Sequence, residues 1–171
     1  MTKTEQRRAM LCATAKSFLG EREQQPNRSP LIDRWNREIG APLGSSYCLT
    51  FLQWCVARVD DLAQAAGIAT KRSALPRLSG CVQLWERAPE ALRQPAPLPG
   101  CLVLWQKNGT WMGHAGLVLD VRVDRMTTLE ANTSGGTGLE RDGDGIYLRD
   151  RSVFGSDAFK VLGFLSPWEE E

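Results

Sequence analysis

The sequence contains one histidine, His114, so any mechanism that pairs a cysteine or serine nucleophile with an imidazole base passes through that position. His114 follows Gly113 and opens an apolar run, with Gly116 on the same face, and these small neighbours are expected to leave a cleft for substrate. Among the five cysteines, Cys12, Cys55, Cys81 and Cys101 fall on apolar faces and read as small buried hydrophobes. Cys48 differs because it follows the turn-forming GSSY and begins a long helical pattern, where unpaired backbone N–H groups and the helix dipole stabilise a thiolate. Such surroundings, especially beside an imidazolium, bring a thiol from ~8.5 to about 3.5–7.5, and the same N–H groups suit an oxyanion. A third group must orient the imidazole, and the segment TTLEANTS offers Glu130 and Asn132, two apart and therefore on one face of a strand. A turn near Asp124 brings residues 130–134 opposite His114, so either Glu130 or Asn132 can be the orienting group.

The elements that must position these residues divide into helices in the N-terminal half and strands in the C-terminal half, which predicts an α+β domain rather than alternating βαβ units. A first helix is expected over residues 4–19, with Met10, Ala13 and Phe18 on its apolar stripe and Gly20 as its stop. Ser29 and Pro30 are an N-cap and first-turn proline for a second helix that buries Leu31, Ile32, Trp35 and Ile39 and ends at Gly40. The third and longest helix carries Cys48, Leu52, Cys55, Val59, Leu62 and Ala66 as a buried stripe and closes at Gly67. A short helix over residues 81–87 and a proline-rich connection lead to runs at 101–105, 114–123, 126–132, 145–151 and 160–165. These predict an antiparallel sheet of about five strands packed on the long helix, with a hairpin at VDRM and a glycine-rich loop around SGGTG and DGDG.

A length of 171 residues suits one domain over residues 1–171, and 42% hydrophobic with 24% charged residues argues against disorder, collagen-like repeats or coiled coil. Twenty-one Lys plus Arg against twenty Asp plus Glu leave a net charge of +1, so no global field steers the chain onto nucleic acid or an anionic membrane. No run has the h-region of a secretory signal or the length of a membrane span, so synthesis in the cytoplasm is expected. The five cysteines cannot all pair with one another and contain no CxxC. Cys48 and Cys55, seven apart on one helix, are separated by roughly 10 Å along its axis, too far for a bridge, so the cysteines read as reduced thiols. DGDG is similar to a calcium loop but lacks the spaced ligands of an EF-hand and is assigned to a turn, so no metal or other cofactor is expected. Most of the six tryptophans read as core, with Trp105 and Trp111 the candidates for a sugar platform, and the closing EEE reads as a solvated tail.

Taken in order, NRSPLIDRWNREIGAPLGSSYCLTFLQWC (27–55), PGCLVLW, GHAGLVLDV and TTLEANTS resemble the CHAP-type branch of the NlpC/P60-like, papain-like cysteine hydrolases. GDGIYLRDR and VLGFLSPW are similar to that family's last strands, so the resemblance spans about residues 17–168. It implies a stripped-down papain fold and hydrolysis of peptidoglycan, as an N-acetylmuramoyl-L-alanine amidase or a peptide-stem endopeptidase. The nucleophile then falls on Cys48, the base on His114 and the polar third group on Glu130, with Asn132 as a further polar member. Tyr47 stands where a Trp commonly precedes the nucleophile, and Cys101 where an Asp commonly follows PG. The resemblance also implies peptidoglycan or its peptide stems as the partner; a monomer is expected, and with neither a signal peptide nor a wall-binding module in the sequence, access through a phage, a holin or a secretion system is expected. A cysteine amidase acting on another amide and a non-catalytic module of a phage particle are the alternatives.

Overall fold

In the computed structural model, residues 1–133 and 143–170 are described, and four helices are followed by a six-stranded antiparallel sheet. Thr2 and Glu5 form a capping box at the start of α1 (Lys3–Lys16), each side chain satisfying a backbone N–H of the other. The predicted face of α1 is corrected: Thr4, Arg7, Arg8, Leu11 and Ala15 are buried, Met10 and Phe18 are half-buried and Ala13 is exposed. The face turns toward the C-terminal segment, where Thr4 Oγ1 donates to the Glu169 carbonyl at 2.6 Å and the Arg7 guanidinium lies over the Trp168 ring. These tertiary partners outweigh an apolar stripe that is weak in α1.

Helix α2 (Pro30–Ile39) follows its local signals, with Ser29 Oγ accepting from the Ile32 N–H at 3.2 Å and Gly40 ending it at φ 87°. Helix α3 (Cys48–Ala65) packs on α1 and α2 and on two central strands. The expected stripe holds from Cys48 to Val59, but Leu62 is 53% exposed and Ala66 is exposed too. Asp60 takes over the inward face there by accepting from Trp168 Nε1 at 2.7 Å and from the Ser73 N–H at 3.0 Å. Helix α4 (Cys81–Arg87) covers β2, β3 and β6.

The strands are β1 (Arg93–Gln94), β2 (Leu102–Lys107), β3 (Gly113–Arg122), β4 (Arg125–Thr133), β5 (Gly145–Ser152) and β6 (Phe159–Leu165), in spatial order β1-β6-β2-β3-β4-β5. The expected count of about five becomes six because β1, two residues inside the proline-rich connection, is too short to show alternation and forms by pairing with β6. Strands β3 and β4 join in a hairpin with Arg122 opposite Arg125, as the turn near Asp124 implies. Strand alternation sends Ala115, Leu117, Leu129 and Ala131 into the core shared with the helices. Val103, Trp105, Val118, Met126, Phe159 and Phe164 form a second cluster. The expected glycine-rich loop at 134–138, Asp142 of DGDG and the last tail residue lie outside the described residues. Asp144, which is described, accepts from the Tyr147 hydroxyl at 2.8 Å and from Arg22.

Candidate active site

Cys48 is the first residue of α3, and Tyr47 at the cap position makes no side-chain cap hydrogen bond, so no side chain caps the first turn. That turn also lacks acidic residues, which keeps the positive end of the helix uncompensated at the thiol. Tyr47 is buried, with its hydroxyl donating to Glu23 Oε1 at 3.3 Å, and burial raises its own ionisation further above the ordinary tyrosine range. It also lines a small pocket with Glu21, Arg22, Ser29, Trp35 and Ile146.

His114, at the start of β3, is fully buried and lies on the same strand face as Gly116 and Val118. The β3–β4 register sets Leu117 opposite Leu129, which brings Gly116 level with Glu130. Glu130 Oε2 lies 2.9 Å from His114 Nε2. The other ring nitrogen, Nδ1, makes no hydrogen bond, and the imidazole is near enough to the Cys48 thiol to lower its pKa. The expected cleft at the glycines is corrected, because both serve close packing. A Cβ on Gly116 would come within 3.0 Å of Glu130 Cγ and 3.2 Å of the Trp105 ring, and one on Gly113 within 2.7 Å of the Trp105 carbonyl. Trp105, expected as a possible sugar platform, is instead fully buried and stacks on the imidazole at a centroid distance of 5.7 Å. Trp111 stays exposed.

Glu130 is itself held by two residues that sequence patterns did not single out. Arg151 on β5 donates to it twice, Nε to Oε1 and Nη2 to Oε2, both at 2.8 Å, and Thr128 Oγ1 donates to Oε1 at 2.6 Å. Thr128 sits two residues before Glu130 on one strand face, so alternation would have found it. Arg151 lies inside GIYLRDR, but nothing local distinguishes it from Arg149.

Burial alone would push the Glu130 carboxyl up, but the Arg151 guanidinium and then His114 bring it down to about 2. For His114, burial disfavours the charged ring, and the neighbouring Cys48 thiol and the Glu130 carboxylate outweigh that and raise it to about 9. The Cys48 thiol is lowered well below its ordinary range by its contact with Cys81, against the effect of burial, with His114 and Ser46 adding to the lowering. The arrangement therefore favours a thiolate–imidazolium pair backed by a carboxylate.

Cys81 Sγ lies 3.9 Å from Cys48 Sγ, and Ser46 Oγ lies 3.8 Å from it. Asn132 Nδ2 donates to that Ser46 hydroxyl at 2.8 Å. Asn132 occupies a bulge between Ala131 and Thr133 with φ 57°, a left-handed conformation that Asn tolerates. Its side chain thus reaches Ser46 beside Cys48, while Glu130 takes the imidazole. Cys55 is fully buried and Cys101 likewise, burial pushing the Cys101 thiol up to about 11 and the Cys55 thiol beyond the ordinary range. Cys12 is only half-buried, which corrects the expectation that it is buried like them.

Comparison of the chain with protein-family models, with curated proteins and with solved structures gave no match. Among the described residues no group of three or more His, Cys, Asp or Glu side chains is arranged to hold a metal ion, and no helix is long and apolar enough to cross a membrane.

Proposed function

We propose that the chain is a cysteine amide hydrolase with a papain-like fold of the NlpC/P60 type, acting on peptidoglycan as an amidase or a peptide-stem endopeptidase. The observation that carries the reading is the buried His114–Glu130 pair, with the carboxylate 2.9 Å from His114 Nε2, beside a Cys48 thiol whose pKa the imidazole helps to lower. In this reading the Cys48 thiolate attacks the scissile carbonyl carbon, and backbone N–H groups at the start of α3 receive the oxyanion. His114 then gives its proton to the leaving amine, and the acyl-thioester is hydrolysed by water that His114 deprotonates. Glu130 keeps the imidazolium oriented and charged, and Arg151 with Thr128 keeps Glu130 ionised and in place.

Peptidoglycan as the substrate rests on the blocks that resemble the CHAP branch, 27–55, GHAGLVLDV and TTLEANTS, which contain all three groups at the family's spacing. The test is incubation of the purified protein with sacculi and identification of the soluble products by mass spectrometry. A new amino terminus on a stem peptide, or free lactyl groups with released stem peptide, is the expected product. Intact sacculi together with cleavage of a peptide-amide library would move the substrate elsewhere, and no cleavage of either would leave a binding module.

A further inference from the structure

In the hydrolytic mechanism Cys81 does no more than help lower the pKa of the Cys48 thiol, and its own sulfur takes no part in the bond changes. The two sulfur atoms are 3.9 Å apart, the residues are separated by 33 positions in the chain, and both are buried. Each begins a helix, α3 and α4, so each side chain leaves a backbone that its helix fixes. Cys81 is pressed against β3 immediately beside the base, since a Cβ on Gly113 would lie 2.9 Å from Cys81 Cβ. A disulfide needs its sulfurs at about 2.05 Å. The remaining approach is under about 2 Å between two sulfurs already facing each other.

We propose that Cys48 and Cys81 form a hydroperoxide-reactive dithiol, in which Cys48 is the sulfur first oxidised and Cys81 is the resolving cysteine that captures it as a reversible disulfide. The Cys48 thiolate attacks one peroxide oxygen. An S–O bond forms, the O–O bond breaks, and the departing hydroxide takes the His114 proton and leaves as water. Cys48 is then a sulfenic acid. The Cys81 sulfur attacks the Cys48 sulfur, the S–S bond forms, the S–O bond breaks, and the second hydroxide leaves as water with the Cys81 proton. Two thiols have lost two electrons and two hydrogens, and one peroxide has become two waters. The product occupies the nucleophile, and a thiol reductant returns it.

Selectivity follows from the rest of the molecule. Cys55 and Cys101 are buried with raised thiols, and the Cys12 thiol is raised by burial too, so none competes as a thiolate. Without Cys81, the Cys48 sulfenic acid would continue to the sulfinic acid, which thiols do not reverse. The disulfide rests on the sulfur–sulfur contact, with Cys48 beside His114; only its effect on hydrolysis rests on the function proposed above.

The experiment treats the reduced full chain with hydrogen peroxide, quenches it with an alkylating agent, and reads intact mass and a proteolytic map. The expected result is a loss of two hydrogens, a linked peptide pair containing Cys48 and Cys81, and return to the starting mass with dithiothreitol. Cys81→Ser, with Cys81→Ala as a second variant should the first not fold, is expected to gain oxygen on Cys48 that dithiothreitol does not remove. Cys12→Ser is expected to behave as the wild type. Oxygen adducts on Cys48 without the linked pair, linkage of Cys48 to another cysteine, or no oxidation of Cys48 would each overturn the proposal. Activity on sacculi is measured on the same samples, where loss on oxidation and recovery on reduction are expected. A linked pair in a protein that never cleaves sacculi would uphold the dithiol and defeat the hydrolase reading; cleavage without a linked pair would do the reverse.

Discussion

Glu130 Oε2 and His114 Nε2 are 2.9 Å apart, and neither side chain reaches solvent. A carboxylate and an imidazole in that setting are coupled without screening, so each one's charge depends on the other's. The consequence for Glu130 is that its replacement acts on both rate and stability. Glu130→Ala leaves Arg151, 6% exposed, as an uncompensated buried cation, at a cost of about 3–5 kcal/mol. Glu130→Gln keeps the shape and is expected to keep more of the fold while lowering turnover about 10²- to 10⁴-fold. Urea melts beside product release from sacculi separate the two effects. Asn132→Ala, which loses the bond to Ser46, is expected to slow the reaction less; a larger loss than for Glu130→Gln would reverse their roles.

Cys48→Ala is expected to abolish hydrolysis, on the order of 10⁶ in turnover, with the fold retained. Cys55→Ala removes only core packing and is expected to lower stability while leaving turnover per folded molecule intact. Retained activity in Cys48→Ala would remove it as the nucleophile.

The pH profile follows from the shifted groups. His114 is raised from 6.5 to about 9, so the imidazolium and the thiolate beside it coexist through neutrality, and activity is expected to fall on the alkaline side as that proton leaves. Because the folded value lies above the ordinary one, the stability His114 contributes is complete below 6.5 and is lost as pH rises through about 9. Glu130 is lowered from 4.5 to about 2, so its contribution is present above 4.5 and is lost as pH falls toward 2. Rate and denaturation midpoints measured from pH 3 to 10 check both directions.

Iodoacetamide at pH 6 to 7 is expected to alkylate Cys48 ahead of the other four cysteines, with Cys12, the half-buried one, as the internal comparison. His114→Ala removes the imidazolium and is expected to raise the Cys48 pKa and slow its alkylation near neutrality. Labelling of Cys48 that matches Cys12 and ignores His114 would count against a thiolate at Cys48.

Arg151→Gln removes a cation that shares Glu130 with the imidazolium. Loss of that competing charge is expected to move the alkaline limb of the rate profile to higher pH, while Arg151→Lys returns it part of the way, since Lys restores charge but not the paired geometry. A variant that loses stability with an unmoved profile would make Arg151 a structural residue only.

Gly116→Ala is expected to lower activity with little change in secondary structure, because its Cβ would press on Glu130 Cγ and on the Trp105 ring behind the imidazole. Near-wild-type rates would mean the Trp105–Glu130 packing tolerates displacement.

Local chemistry in the sequence was enough to place most elements and to put Cys48, His114 and Glu130 at the positions where the structure holds them. Ser29 and Pro30 start α2 and Gly40 ends it because caps and left-handed stops act within one turn. Cys48 at the start of α3 and His114 opposite the TTLEANTS strand are legible for the same reason, since helix start and hairpin register are set by nearby residues. The tertiary structure alone decided what fills the space around them. Arg151 reaches Glu130 through the β4–β5 pairing, and Trp105 reaches His114 through β2–β3. Cys81 reaches Cys48 only once α4 has packed on β3, and Asn132 turns to Ser46 because a bulge interrupts β4. Such contacts join residues far apart in the chain, and their cost and gain depend on packing that no window of the sequence contains.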